Sequence, residues 1–470
     1  MVPQAQGSQA QSTTIPPRLP LLAIASNRDS DSTKDAKLVN CYAEKQPDGT
    51  FEIYKRGGLS SPVRTKSGAG RGQFKWNSNI YEIFADTVYK NGTALTGTVD
   101  TTNGVYRFAV TRGATPYLVL GNGVKAYTIT AADVLAVIPD ADFPAAFVKG
   151  WAFLDGTLYV MDASANIWGS DLNTPTAWDP LNKIVAQIES DAGVALAKQL
   201  VYVVAFKEGS TEMFYDAGNA TGSPLGAVQG SKIEYGCVSA ETVQDIEGAL
   251  IWISARSGGI QIVKMAQMKT EVISSAPVER LLEKSVDFST ETIFSWQITT
   301  EGHSFYVVTF KTANITLAYD LVERLWYHWS VSGNYVPIVA STSTSALLHL
   351  VQGETDGNIF YMGREYTNDN GATIQADIIT PNFDGGSRRK KHLKALEVVG
   401  DQVAGSELKI RVSADDYQTW SNFRTVSLAN KRPILTDCGS FVKRAMHFRH
   451  ESNTRMRISA VELQLDLGVL

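Results

Sequence analysis

The chain reads as an all-β protein: a β-propeller of six or seven irregular blades, preceded by an extended N-terminal segment and followed by a C-terminal β-sandwich-like domain. Three observations predict this. Short apolar strands recur between turn signals at a period in the forties, which is propeller-blade length. Several of those strands are apolar at consecutive positions although tight turns make them antiparallel. After Gly363 the pattern changes to strict apolar–polar alternation.

The period comes from five hairpin-like stretches: FLDGTLYVMDASANIWGSD, LVYVVAFKEGSTEMFYD, ALIWISARSGGIQIVKM, SFYVVTFKTANITLAYD and LLHLVQGETDGNIFYMG. Their turns are expected at Asp155-Gly156, Glu208-Gly209, Gly258-Gly259, Thr312-Ala313-Asn314 and Asp356-Gly357. One residue in the second strand of each hairpin serves as a marker: Ile167, Met213, Ile260, Leu317 and Ile359, with steps of 46, 47, 57 and 42 residues. Weaker candidates near Val88 and Tyr127 extend the series toward the N-terminus. The propeller is therefore expected over 70–365.

The strands LVYVVAF (200–206), ALIWIS (249–254) and SFYVVTF (304–310) present apolar side chains on both faces. Helices usually cover such strands in parallel sheets. Here the one good helical pattern lies at 275–286, so other sheets must cover them. Radially stacked blades do so, and closing the ring protects the edges.

Residues 366–470 read as a separate sandwich-like domain. In Glu407–Ser413, Leu408, Ile410 and Val412 alternate with charged residues; in 458–467, Val461, Leu463, Leu465 and Leu467 alternate with Glu462, Gln464 and Asp466. One face is buried and the other solvated. At the other end, residues 1–18 are rich in Gln, Ser, Thr and Pro and cannot nucleate a core. They head an extended arm over 1–36; residues 1–18 are expected to be disordered alone in solution and, where ordered in an assembly, to be held by a neighbouring subunit. A short segment at 37–69 leads into the propeller.

The 470 residues carry 43 Lys+Arg and 48 Asp+Glu, a net charge of −5, which argues against bulk capture of nucleic acid. The charge is uneven: 15 Lys/Arg face 9 Asp/Glu from Arg388 onward, leaving 28 against 39 before it. Three distant cysteines (Cys41, Cys237, Cys438) make no disulfide framework. No apolar run approaches the roughly 20 residues of a membrane helix, and Leu19–Ala25 is too short for a secretory core. No membrane insertion is expected, synthesis is expected in a cytoplasm, and the Asn-x-Thr sites at Asn91, Asn219 and Asn314 are given no meaning.

Chemistry-bearing patterns are sparse. VSADDYQTWS (412–421) approaches an Asp box, with Ser413, Asp415, Thr419 and Trp420 in place but Tyr417 where the glycine belongs. Such a box is a structural staple: Ser and Asp bond turn backbone, the glycine takes a positive φ and the Trp packs beneath. His447-x-x-His450 has helical ligand spacing but lies on a strand, where residues three apart face opposite ways. Asp29-x-Asp31-x-Thr33 opens like a calcium loop, yet Lys34 and Asn40 stand where the turn Gly and bidentate Glu belong. Gly68-Ala-Gly70-Arg-Gly72 reads as a flexible turn with no P-loop continuation, and no nucleophile elbow occurs. No catalytic residue, metal site or cofactor is assigned. The basic run Arg388, Arg389, Lys390 and Lys391, together with Arg444 and Arg449, is the candidate interface, with a protein partner favoured over DNA phosphates.

Two segments carry a family resemblance. Lys37-Leu-Val-Asn-Cys-Tyr-Ala-Glu44 followed by Tyr54-Lys-Arg-Gly-Gly-Leu59 resembles the opening of the tail hub, or nozzle, proteins of short-tailed bacteriophages, also called packaged-DNA stabilisation or tail accessory factors. That opening carries a V-N-x-Y/L-x-E-like segment and then an R-x-P-G-like turn, where this chain has Gly57-Gly58. RVSADDYQTWSNFRTVSL through RAMHFRHESNTRMRISAVELQLDLG is similar to the family's C-terminal region. The resemblance implies a structural virion protein without enzymatic activity, made in a bacterial cytoplasm and placed in the tail. It further implies a hexameric ring below the portal–adaptor that retains packaged DNA, conducts it at ejection in transient contact with the duplex, and carries tail fibres or tailspikes and a plug or needle. The competing reading is a carbohydrate-binding or glycan-hydrolysing, sialidase-like propeller. It needs several Asp boxes or an arginine cluster with paired carboxylates, and one degenerate box is present.

Overall fold

The computed structural model describes residues 17–22, 36–230, 232–256, 259–345 and 348–468. Seven antiparallel blades stand around one axis. Blades one to six occupy 70–94, 107–137, 152–185, 193–227, 244–272 and 293–329, each a meander of four sequential strands. Blade seven takes only three strands from its own stretch, Ile338–Ser345, Leu348–Gly353 and Asn358–Gly363.

The missing outer strand comes from upstream. The N-terminal region holds five short strands: β1 (Lys37–Val39), β2 (Cys41–Lys45), β3 (Phe51–Lys55), β4 (Gly58–Leu59) and β5 (Arg64–Thr65). β4 and β5 pair antiparallel with Asn358–Gly363, setting Leu59 opposite Met362 and Arg64 opposite Ile359. The ring is thus fastened by joining β4 and β5, which precede blade one, to blade seven. Across the same seam Gly72 N–H donates to Gln352 Oε1 at 2.9 Å, and Gln352 Nε2 donates to Ile83 O at 2.8 Å. Gly70–Trp76 is the innermost strand of blade one, so the glycine run expected as a flexible turn is in large part a packed strand.

All seven periodic markers fall on the third strand of a blade: Val88 and Tyr127 in blades one and two, then Ile167, Met213, Ile260, Leu317 and Ile359 in blades three to seven. The 57-residue step has a physical cause, because α1 (Ala276–Ser285) is inserted between blades five and six. Asp155-Gly156 joins the first and second strands of blade three, so Ile167 follows a further turn. Glu208-Gly209, 312–314 and Asp356-Gly357 do join second to third strands; Gly258 lies outside the described residues.

Second strands explain the doubly apolar runs. Ile251 and Ile253 pack with Tyr306 and Val308 of blade six, while the intervening Leu250 and Trp252 pack with Val204 and Phe206 of blade four. Alternate side chains of one strand therefore enter two different inter-blade cores, and all eight residues of His303–Phe310 are buried.

The sandwich is built from both ends of the chain. One sheet runs β2, β3, Arg457–Leu467, Lys391–Gly400 and Ile434–Thr436. The other continues blade six: its outer strand Leu325–Trp329 pairs with β1, β1 pairs with Ala376–Ile379, and Ala445–His450, Glu407–Ser413 and Arg424–Ser427 follow. The alternation noted in the sequence packs Leu408, Ile410, Val461 and Leu463 into one core with Trp296, Phe305 and Tyr327 of blade six. Leu467 is an exception at 59% exposed. Of the arm expected over 1–36, residues 17–22 lie on the chain's own sandwich. Leu19 N–H donates to Val461 O at 2.8 Å, Leu463 N–H donates to Pro17 O at 3.0 Å, and Leu19 and Leu21 are buried. The rest, 1–16 and 23–35, with the Asp29-x-Asp31 pattern, lies outside the described residues.

Candidate interaction surface

The segment Tyr54–Leu59 is the joint between propeller and sandwich. Arg56 sends Nη1 and Nη2 to Asp369 Oδ1 and Oδ2 at 3.0 and 2.6 Å, Nε to Asn40 Oδ1 at 2.9 Å, and a further bond to Ser330 O at 2.9 Å. The fork-to-fork geometry satisfies the guanidinium inside the protein. Asn40 sits at φ 53° and ties the same knot to Gln375 O at 2.8 Å. Gly57 and Gly58 follow because nothing larger fits: a Cβ on Gly57 would stand 2.5 Å from Gly363 O, and one on Gly58 would stand 2.1 Å from Asn368 O. No local motif announces this network, since Arg56 and Asp369 are 313 residues apart.

The propeller axis holds a cavity of about 960 Å³, to which every blade contributes: Gln73, Phe108, Phe153, Lys198, Gln244, Gln297 and Ser341. Most of its cations are engaged, while Arg112, also in the lining, is exposed. Arg107 and Lys149 share the Glu241 carboxylate, and Lys198 Nζ donates to Phe153 O at 2.7 Å. Burial raises the Asp245 carboxyl above its ordinary range. The lining mixes amides and charged groups with aromatic and aliphatic side chains such as Phe108, Trp151 and Leu196.

The degenerate Asp box folds as a box. Ser413 Oγ donates to Asp415 Oδ1 at 2.8 Å and accepts from Tyr417 N–H at 3.0 Å, and Thr419 N–H donates to Asp415 Oδ1 at 2.9 Å. Tyr417 takes φ 66°, the conformation the glycine would supply, and its hydroxyl donates to Thr380 O at 3.0 Å. The turn staples two strands of the sandwich.

The six basic candidates do not form one patch. Arg388, Arg389 and Lys390 are exposed on a loop after Gly385-Gly386. Lys391 is 1% exposed and points inward, its ammonium donating to Ser387 O, Arg389 O and Val442 O at 2.6, 2.8 and 3.0 Å. Arg444, 5% exposed, stacks 4.4 Å from the Phe441 ring that also receives Lys391. Lys391 braces the loop from beneath, whereas Arg444 bonds to Cys438 O and Ser440 O, so the loop's accessible charge is the triplet 388–390. Arg449 belongs to the other sheet and pairs with Asp377 at 2.7 Å. His447 and His450 lie on opposite sides of their strand, His447 on Asp377 at 2.9 Å and His450 on Ser406 Oγ at 2.9 Å.

Comparison with known proteins follows the fold. The profile of a family described as bacteriophage P22 Gp10, β-propeller, matches residues 18–332. Among curated proteins no sequence match is found. Among solved structures, a catalytically inactive virginiamycin B lyase from Staphylococcus aureus with quinupristin is similar at 7% identity and TM-score 0.43, over 65% of this chain and 98% of that one. A streptogramin B lyase is similar at 8% identity and TM-score 0.43, over 66% and 98%. The computationally designed Ika8 protein is similar at 12% identity and TM-score 0.40, over 65% and 100%.

Proposed function

The chain belongs to the bacteriophage P22 Gp10 β-propeller family, and from that premise we propose that it is a non-catalytic building block of a short-tailed phage tail, forming the nozzle ring below the portal–adaptor. The family match over 18–332 carries this reading. In the proposed ring, a hexamer, the subunits retain packaged DNA, conduct it at ejection and anchor fibres or spikes together with a plug or needle. Charge supports the assignment of surfaces. Residues before Arg388 carry an excess of 11 carboxylates, and a duplex slides past a surface that gives its phosphates few cations to bind. The triplet Arg388, Arg389 and Lys390, held on a braced loop, is the proposed contact with an acidic neighbouring protein.

An electron-microscopy map of the particle containing this chain tests the reading. The expected result is a ring of seven-bladed propellers between portal and tail tip. Absence of the chain from the tail, or turnover of a sialylated or plant polysaccharide by the purified protein, overturns it.

A further inference from the structure

On the outer face of the sandwich one arginine is oriented by a relay that starts in the protein interior. Arg411 Nε donates to His447 Nδ1 at 2.9 Å. His447 accordingly carries its proton on Nε2 and donates to Asp377 Oδ1 at 2.9 Å. Asp377 is fixed in turn by Arg449 Nε at 2.7 Å and Gln375 Nε2 at 2.8 Å. Asp377 and His447 are 5% and 1% exposed, whereas Arg411 is half-buried. Its guanidinium lies 4.5 Å from the Phe423 ring centre and 5.0 Å from that of Trp420. Both rings meet His447 edge-on.

Among the described residues the two Nη nitrogens of Arg411 have no acceptor, and no carboxylate pairs with it, although neighbouring Arg449 has both Asp377 and Glu451. The side chain has therefore given up rotamer freedom without an ionic partner. Such preorganisation is the hallmark of a binding hot spot, where Arg and Trp are over-represented.

We propose that Arg411, braced by His447 and Asp377, is a docking point for a carboxylate on an acidic segment of a partner protein. A planar fork with both Nη atoms open matches a carboxylate in bidentate fashion. Stacking of a sugar is disfavoured, because Arg411 already lies over Trp420 and Phe423, and Arg449 over Phe423 as well. A DNA backbone is disfavoured as well. Duplex affinity grows with the number of phosphates neutralised, whereas Arg411 presents one open fork and neighbouring Arg449 and Lys409 already pair with carboxylates. The inference concerns the sandwich alone and does not depend on the tail assignment.

The test uses the full-length chain and the side-chain NMR signals of Arg411 Nε–H and Trp420 Nε1–H, titrated with acetyl-tetraglutamate-amide and, separately, with a twelve-base-pair duplex. The peptide is expected to move both signals saturably. Arg411→Lys, which keeps the charge but not the fork, and His447→Phe, which keeps Arg411 but not its brace, are each expected to weaken binding at least tenfold with the rest of the spectrum unchanged. No saturable shift up to about 10 mM peptide, a regime too weak for docking, overturns the proposal. Stronger movement of the same signals by the duplex also overturns it, in favour of nucleic acid. Wild-type affinity in His447→Phe removes the relay from the account.

Discussion

Arg56 and Asp369 form a two-toothed ion pair with 3% and 2% of their side chains exposed, at the point where blade six, blade seven and the sandwich meet. Each charge is stable there only because the other is present. Asp369→Ala is therefore expected to leave a buried guanidinium uncompensated and to cost roughly 3–5 kcal/mol. Arg56→Met combined with Asp369→Leu should lose less than the sum of the single changes. Urea denaturation followed by fluorescence measures both; a loss below about 1 kcal/mol for Asp369→Ala would contradict the assignment.

Closure of the ring depends on a backbone approach at Gly58 that no side chain permits. Gly58→Ala places its methyl carbon against Asn368 O and should expel β4 from blade seven. Limited proteolysis should then cut between residues 56 and 70 faster than in the parent protein. Unchanged proteolysis refutes the fastening role of β4.

The arm makes a separate prediction. Leu19→Asp is expected to release residues 17–22 at a cost of roughly 1.5–3 kcal/mol, read as lost hydrogen-exchange protection at the Leu19 and Leu463 amides. Deleting residues 1–36 should leave the blades folded but impair attachment to the particle. A truncated chain that joins particles normally would show that the arm has no such role.

Acid should act on buried imidazoles in both bodies, His450 of the sandwich and His328 of blade six, which burial likewise holds down to about 3. Burial holds the His450 imidazole down to about 3, whereas an unfolded imidazole takes up its proton near 6.5. Between those values the unfolded chain binds more protons, so stability falls as pH is lowered through that window, by about 2 kcal/mol at pH 5 from this group. Asp377, held at about 2 chiefly against burial by its bonds to His447 and Arg449, adds stability that is complete above about pH 4 and lost as pH falls through 2. His450→Gln should flatten the dependence between pH 6.5 and 4. An unaltered pH profile in that variant would assign the acid sensitivity elsewhere.

Tyr417→Gly restores the residue that an Asp box ordinarily carries, yet it should destabilise. The relief of a left-handed backbone returns about 1–2 kcal/mol. Removal of a side chain 3% exposed forfeits roughly 3–5 kcal/mol. A lower thermal midpoint is expected; a higher one would mean that strain outweighs packing at this turn.

Much of the propeller was legible because each blade signals itself locally. Apolar runs such as Val203–Phe206 and a tight turn mark strands two and three, and all seven markers from Val88 to Ile359 reached the same place in their blades. The closure was not legible. β4 and β5 are two residues each and pair with Asn358–Gly363, about 300 residues away. Nor could sequence foretell which cations are available, because Lys391 differs from Arg388–Lys390 only in where the strand beginning at Lys391 turns it. The Arg411–His447–Asp377 relay was invisible for a similar reason, as it arises from strands paired across the sheet.

β3 and β4 wait for partner strands made long after them. β3 lies against Arg457–Leu467 and β4 against Asn358–Gly363, so a nascent chain can stack its middle blades early but can neither shut the circle nor complete the sandwich until those two later strands have been made. Prematurely terminated copies would emerge with unsatisfied edges, targets for proteolysis rather than defective parts for incorporation.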